Sequence, residues 1–217
     1  MRRDEFGDLA LATALLAVAG FVDAVGFLTL GHLFVSFASG NSTQFAIAIG
    51  GTALTKAAPA AGALVGTFVS GVVAGRMLAI AANTSRRPAI LLVEAVLLTA
   101  AAVLPLGGAQ AAYLMALAMG AQNAVVQKAG ETQTALTYVT GTLVHMGQKL
   151  ADALCRAGPP GAWLPYLALW AAMMVGAALG GIGYSAFRLH ALLVPAASIL
   201  ALAALTGRRA WRARRRR

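Results

Sequence analysis

The chain states nearly the same pattern twice, about 100 residues apart, and this duplication constrains its fold more than any other feature. Gly20-Phe-Val-Asp-Ala-Val25 returns as Gly120-Ala-Gln-Asn-Ala-Val125, an offset of 100. Val35-Ser-Phe-Ala-Ser-Gly-Asn41 returns as Leu136-Thr-Tyr-Val-Thr-Gly-Thr142, an offset of 101. The Gly71/Gly75 pair returns as Gly176/Gly180, an offset of 105. Leu91-Leu-Val-Glu-Ala95 returns as Leu192-Leu-Val-Pro-Ala196, again offset by 101. Matches in one order with small drifts point to duplicated halves, and in membrane proteins such halves build a shared central site.

The halves are apolar. Of 217 residues, 59% are hydrophobic and 11% charged, against about 25% charged in a soluble domain. The apolar runs are continuous over roughly 20 residues rather than alternating over about 10, which predicts membrane helices and not a barrel. Helices are expected at 9–30, 57–83, 88–106, 110–128, 160–187 and 189–206. Two shorter and more polar segments, Leu33 to Ala53 and Thr134 to Ala157, are repeat partners. Each starts as an extended run of β-branched and aromatic residues, meets a glycine and continues as a helix.

Charge selects between crossing and re-entry for these two segments. With re-entry, Arg2, Arg3, Arg86, Arg87, Lys128, Lys149, Arg156 and the C-terminal arginines fall on one side, leaving Lys56 and Arg188 outside. The positive-inside rule favours that arrangement. The expected fold is therefore an all-α integral membrane protein with six transmembrane helices plus two re-entrant, broken strand–helix segments. It forms one membrane domain over 1–217, with repeat 1 at 9–106 and repeat 2 at 110–206. Three spans per half make the repeats inverted, and both termini are cytoplasmic.

The formal charge of +10 is concentrated in the basic tail at 207–217, after an apolar helix. That placement suits a cytoplasmic anchor on anionic lipids, with Trp211 at the interface, rather than a nucleic-acid partner. The single cysteine, Cys155, excludes an intramolecular disulfide and a cysteine-rich metal site. The first apolar stretch is too long for a signal peptide and holds Asp23, so it reads as an uncleaved span.

Candidate chemistry gathers at the two short segments. Ser39 or Asn41 can cap the helix that follows them, leaving free N–H groups at its first turn. Thr140, Gly141 and Thr142 repeat that arrangement. Two inverted broken segments bring two helix N-termini together near the midplane, a pair suited to an anion or the negative end of a dipole. The expected solute site comprises Asp23, Ser39, Gly40, Asn41, Ser42, Thr43, Gln44, Asn123, Thr140, Gly141, Thr142 and His145. Asp23 reads either as a coupling carboxylate or gate, or as a brace for a broken segment. Gln122, Gln127 and Gln148 add polarity in the second half. Glu94 reads as structural because Pro195 stands at its repeat position. His145 reads as hydrogen-bonded structure or, less simply, as a proton-coupling group. Arg76 is expected to snorkel. The Gly71/Gly75 and Gly176/Gly180 pairs favour packing within the chain, with a homodimer seam as the alternative. Catalytic serine-elbow, zinc-protease and phosphate-loop motifs are missing, so no enzyme, cofactor or metal is expected.

The run Phe34-Val-Ser-Phe-Ala-Ser-Gly-Asn-Ser-Thr43, after Gly20-Phe-Val-Asp-Ala-Val-Gly26, resembles the YoaK family of bacterial membrane proteins of unknown function. Ser42 stands where threonine is common in that family. The resemblance covers essentially the whole chain and implies an inner-membrane protein of about six spans, with Asp23 and Ser39–Thr43 as signature positions. The broken elements are also similar, at the level of fold alone, to anion exchangers and nucleobase permeases of the sulfate-transporter type. The functional expectation is a small secondary transporter for a small polar or anionic solute. The alternative is a non-transporting sensor or scaffold.

Overall fold

The computed structural model describes residues 3–51, 58–126 and 138–214. Among these there are eight α-helices: α1 (Arg3–Leu30), α2 (Ala38–Ile49), α3 (Ala58–Ala82), α4 (Arg86–Val103), α5 (Gly108–Val126), α6 (Val139–Leu154), α7 (Leu164–Phe187) and α8 (Leu193–Arg214). Short 3₁₀ turns at Asn83–Ser85 and Arg188–Leu192 precede α4 and α8. Residues 127–137 lie outside the described residues, so Gln127, Lys128 and the leading part of the expected 134–157 segment are not placed. The same holds for Lys56, Arg2 and the last three arginines.

The surface is inverted relative to a soluble protein. Ile80, Val96 and Ile182 are about two-thirds exposed, the pattern of side chains that face lipid. Among the described residues, three segments are long and apolar enough to cross a membrane: Gly7–Leu30, Ala58–Ala82 and Leu164–Arg209, the last holding α7 and most of α8. The expectation of six such spans is met only in part. α4 carries Arg86, Arg87 and Glu94, and α5 carries Gln110, Gln122 and Asn123, which lowers their hydropathy. Both pack inward, and Glu94, Gln122 and Asn123 are buried.

The helices pack in the order α2, α3, α5, α1, α7, α6, with α4 and α8 paired alongside the central pair α5 and α1. Exchanging the repeat partners (α1 with α5, α2 with α6, α3 with α7, α4 with α8) reverses this row onto itself. Glycine contacts recur in step with the exchange. A Cβ on Gly20 would strike the Met173 carbonyl, and one on Gly120 would strike the Phe68 carbonyl. Gly176 lies on the Ala17 backbone and Gly71 on that of Leu117; Gly180 lies on Phe21 and Gly75 on Ala121. All of these neighbours are repeat equivalents. The glycine pairs thus do their packing inside the chain, as favoured over a dimer seam. Gly181, beside Gly180, has nothing within 4 Å.

Three boundaries differ from expectation. No strand occurs among the described residues; residues 33–37 are irregular, with bends at Val35 and Ser36. α7 begins at Leu164 rather than 160, because Pro159 and Pro160 hold the preceding residues in turns. α8 continues through Arg214, so most of the basic tail is helical instead of a separate segment.

Candidate functional site

α1 ends abruptly. Gly31 (φ 64°) and His32 (φ 85°) both take left-handed backbone, and the His32 N–H returns to the Phe27 carbonyl at 3.2 Å. Glycine adopts this conformation freely, whereas histidine is strained there. The chain then runs without helix or strand through residues 33–37, bending at Val35 and Ser36, before α2. Apart from the Ser36 carbonyl, which accepts from the Ala38 N–H at 3.1 Å, such a strip has few partners for its own N–H and C=O groups, and apolar surroundings offer none.

Side chains supply them. Asp23, 3% exposed, accepts hydrogen bonds from the Val35 N–H (2.9 Å) and the Ser36 N–H (2.7 Å) through Oδ1. Its Oδ2 accepts the Ser36 hydroxyl. Asn41 closes a two-way pair with Phe34: its Nδ2 donates to the Phe34 carbonyl at 2.6 Å, and its Oδ1 accepts the Phe34 N–H at 3.1 Å. Gln44 donates to the His32 carbonyl at 3.2 Å. Gly26, one turn beyond Asp23, leaves the room that the Val35 side chain fills. The aspartate-bearing span and the signature run are therefore one unit: α1 and α2 grip the strip between them.

This corrects the expected capping. Neither Ser39 nor Asn41 caps α2; Phe37 is the N-cap residue and makes no side-chain cap bond. The helix starts at Ala38, ahead of Gly40. Gly40 instead makes room for the Phe37 ring, which lies where a Cβ would sit, 2.7 Å away. Gly141 does the same for Tyr138, the N-cap residue of α6. The Ser42 and Thr43 hydroxyls donate to the Ala38 and Ser39 carbonyls, one turn back in α2.

Asn41→Asp is expected to remove the donor to Phe34 and set an oxygen against that carbonyl. The loss of stability is expected to be about 2 kcal/mol, read as a lowered unfolding midpoint in detergent.

The remaining candidates are scattered. Asn123 donates to the Met119 carbonyl at 3.0 Å in its own helix. Its neighbour Gln122 donates to the Leu15 carbonyl at 3.1 Å, joining α5 to α1, while its Oε1 has no partner. Thr142 hydrogen-bonds back to Tyr138. His145 is exposed, with its ring 5.6 Å from that of Tyr166. Lys149 pairs with Asp152 at 3.2 Å. Glu94 is fully buried, and neither of its carboxylate oxygens has a hydrogen-bond partner. Arg76 is exposed.

A cavity of about 500 Å³ lies between the two halves beside Asp23. Asp23, Ser36 and Phe37 line it from the first half; Val139, Thr140 and Leu143 line it from α6. Of the predicted site residues only Asp23 and Thr140 reach it. Its wall is chiefly apolar, with Phe27, Phe34 and Met173 contributing. These residues escaped sequence reasoning because an aromatic at helical spacing looks like core. The recurrence of an aromatic three residues before each glycine, Phe37 and Tyr138, was the available signal.

Comparison with known proteins agrees with the transmembrane character. The chain is 35% identical over 218 residues to the UPF0700 transmembrane protein RA0705 of Rhizobium meliloti (strain 1021), covering 98% of this chain and 92% of that protein. It is 30% identical over 152 residues to the UPF0700 transmembrane protein YoaK of Bacillus subtilis (strain 168), covering 66% and 68% of the two. No solved structure matches it significantly. Residues 11–205 match the family described as "Protein of unknown function (DUF1275)", and the chain belongs to that family of transmembrane proteins, in which YoaK is a relative.

Proposed function

We propose that the chain is a small secondary permease of the bacterial inner membrane, built from two inverted repeats, with its solute site in the cavity shared by the halves. The observation that carries this reading is the cavity itself, lined by the Asp23–Ser36 brace and by the first turn of α6. The recurring glycine contacts support the inverted repeats, since equivalent helices meet equivalent partners. The segment ending in α2 then serves as the discontinuous element of the first half.

The lining narrows the solute. A bare anion finds few donors here, because the Val35 and Ser36 N–H groups already bond to Asp23. Phe27, Phe34, Leu143 and Met173 offer apolar and aromatic contact, and the Thr140 hydroxyl adds a polar one. The site suits a small neutral solute with a flat or apolar body and one or two polar groups.

A thermal-stability panel on detergent-purified protein tests this. Small heterocycles and neutral amphipathic solutes are expected to raise the melting temperature by mass action. Leu143→Trp, which fills the cavity, is expected to weaken a hit at least about tenfold, the effect of losing roughly 1.4 kcal/mol. A hit indifferent to Leu143→Trp would remove the cavity from the mechanism.

A non-transporting scaffold is the second reading, and one observation favours it. Asp23, Asn41 and Gln44 are all engaged with the backbone of residues 32–36. Polar groups so engaged serve architecture. A panel without a single hit would favour this reading.

A further inference from the structure

A second cavity, of about 600 Å³, lies away from the proposed solute site. It opens between the start of α1, the start of α4 and the end of α8. Its wall has two characters. Leu11, Leu202 and Leu205 make an apolar side, and Arg86, Arg87 and Arg209 make a cationic lip.

Its place along the helices is marked by charge. Asp8 follows the lining residue Gly7, and Arg86, Arg87 and Arg209 line the cavity itself. The apolar helix α3 ends at Ala82, next to the lining residue Asn83. The lip therefore lies at the boundary between hydrocarbon and water, where lipid headgroups reside. Gly7 and the Arg209 guanidinium are in contact range, a Cβ on Gly7 lying 3.5 Å from Nη1. The start of α1 and the end of α8 thus meet on one side.

The cationic lip is incompletely neutralised. Arg87 pairs with Asp8 at 2.8 Å. Arg86 and Arg209 make no ion pair or hydrogen bond through their side chains to the described residues. Arg86 and Arg87 also open α4, where the helix dipole already places positive charge, so an anion in front of them removes a repulsion. Guanidinium groups bind phosphate in paired, directional hydrogen bonds.

We propose that this cavity is a binding site for an anionic glycerophospholipid. Arg86 and Arg209 hold the headgroup phosphate, and one acyl chain lies along Leu11, Leu202 and Leu205. The site differs from diffuse attraction of the basic tail to the membrane surface, because it is a formed cavity using arginines from two distant parts of the chain. It does not depend on whether the protein transports a solute.

The test uses the full chain in dodecyl maltoside, titrated with phosphatidylglycerol or phosphatidylcholine and followed by native mass spectrometry and melting temperature. Phosphatidylglycerol is expected to bind and stabilise, and phosphatidylcholine to do so far less. Arg86→Gln/Arg209→Gln is expected to weaken phosphatidylglycerol binding about thirtyfold, whereas Arg208→Gln changes it less than about twofold. Equal binding of the two lipids, or unchanged binding by the double variant, overturns the proposal. So does inorganic phosphate that stabilises as well as phosphatidylglycerol, since the site then serves a soluble anion. Should the double variant fail to fold, Arg209→Gln at the exposed end of α8 and the lipid comparison on the unaltered chain decide the matter.

Discussion

Asp23→Ala is expected to destabilise the protein by about 4 kcal/mol, the largest effect of any single polar substitution in the described residues. The alanine removes the acceptor of three hydrogen bonds at once. The Val35 and Ser36 N–H groups and the Ser36 hydroxyl are then left in a buried strip without water to replace it. Each orphaned donor costs about 1–3 kcal/mol, and partial relaxation of residues 33–37 recovers some of the sum. Asp23→Asn behaves differently. An asparagine Oδ1 still accepts both N–H groups, and its amide donates to the serine oxygen, so the expected loss is about 1 kcal/mol. Unfolding in detergent, followed by circular dichroism, measures both. The pair also separates the two meanings of Asp23. A brace tolerates asparagine in stability and in solute binding, whereas a coupling carboxylate keeps stability and loses coupling. Equal damage from Ala and Asn would remove the hydrogen-bond account.

Gly20→Ala and Gly120→Ala are expected to cost nearly the same, about 3 kcal/mol each. The added methyl has no space in either place, since it meets a backbone carbonyl of the partner helix, Met173 on one side and Phe68 on the other. Backbone cannot rotate aside as a side chain can, so the helices must separate and forfeit contacts along their length. The equality is the sharper part of the expectation, because it tests whether the two interfaces are equivalent. Gly66→Ala is the control. Its position in α3 has nothing within 4 Å, and alanine there is expected to be neutral or to stabilise by up to about 1 kcal/mol. Matched melting shifts for Gly20 and Gly120, with none or a small rise for Gly66, are the outcome to look for. A large difference between the first two would mean that the halves pack by different rules.

The glycine contacts were legible in the sequence because close helix approach demands small residues at i and i+4, and nothing else in an apolar chain marks those positions so plainly. Asp23 was legible as an exceptional residue for the same reason: a carboxylate in a span must be held. Its partners were not legible. The sequence does not show that the chain reverses at Gly31 and His32, and only that turn brings Val35 and Ser36 back to α1. Asn41 was read as a cap on residue preference alone. Its actual partner, Phe34, lies upstream and follows from the path of the strip. The shared cavity was missed because Phe27, Phe34 and Phe37 have the composition of a core. The basic cavity was missed because Arg86 and Arg209 are far apart in sequence and meet only through the pairing of α4 with α8. The expectation of a small polar or anionic solute rested on free helix N–H groups, and giving two of the nearby donors to Asp23 moves the proposal to its neutral, polar side.

The crossed pairing of helices has a consequence for how the protein is made. α1 does not touch α3, and α5 does not touch α7; each half finds its partner surfaces in the other. As the chain leaves the ribosome, the Gly71–Gly75 face waits for α5, and the Gly20 face of α1 waits until α7 has been synthesised. At roughly 5–20 residues per second, the second wait lasts on the order of ten to thirty seconds. During that time the first half sits in the bilayer with its closest-packing surfaces bare. A neighbouring nascent copy presents the same complementary surfaces, so insertion machinery that isolates each growing chain guards against intertwined dimers. The same geometry would let two short chains, each one half in length, have formed such a bundle together before a fusion joined them.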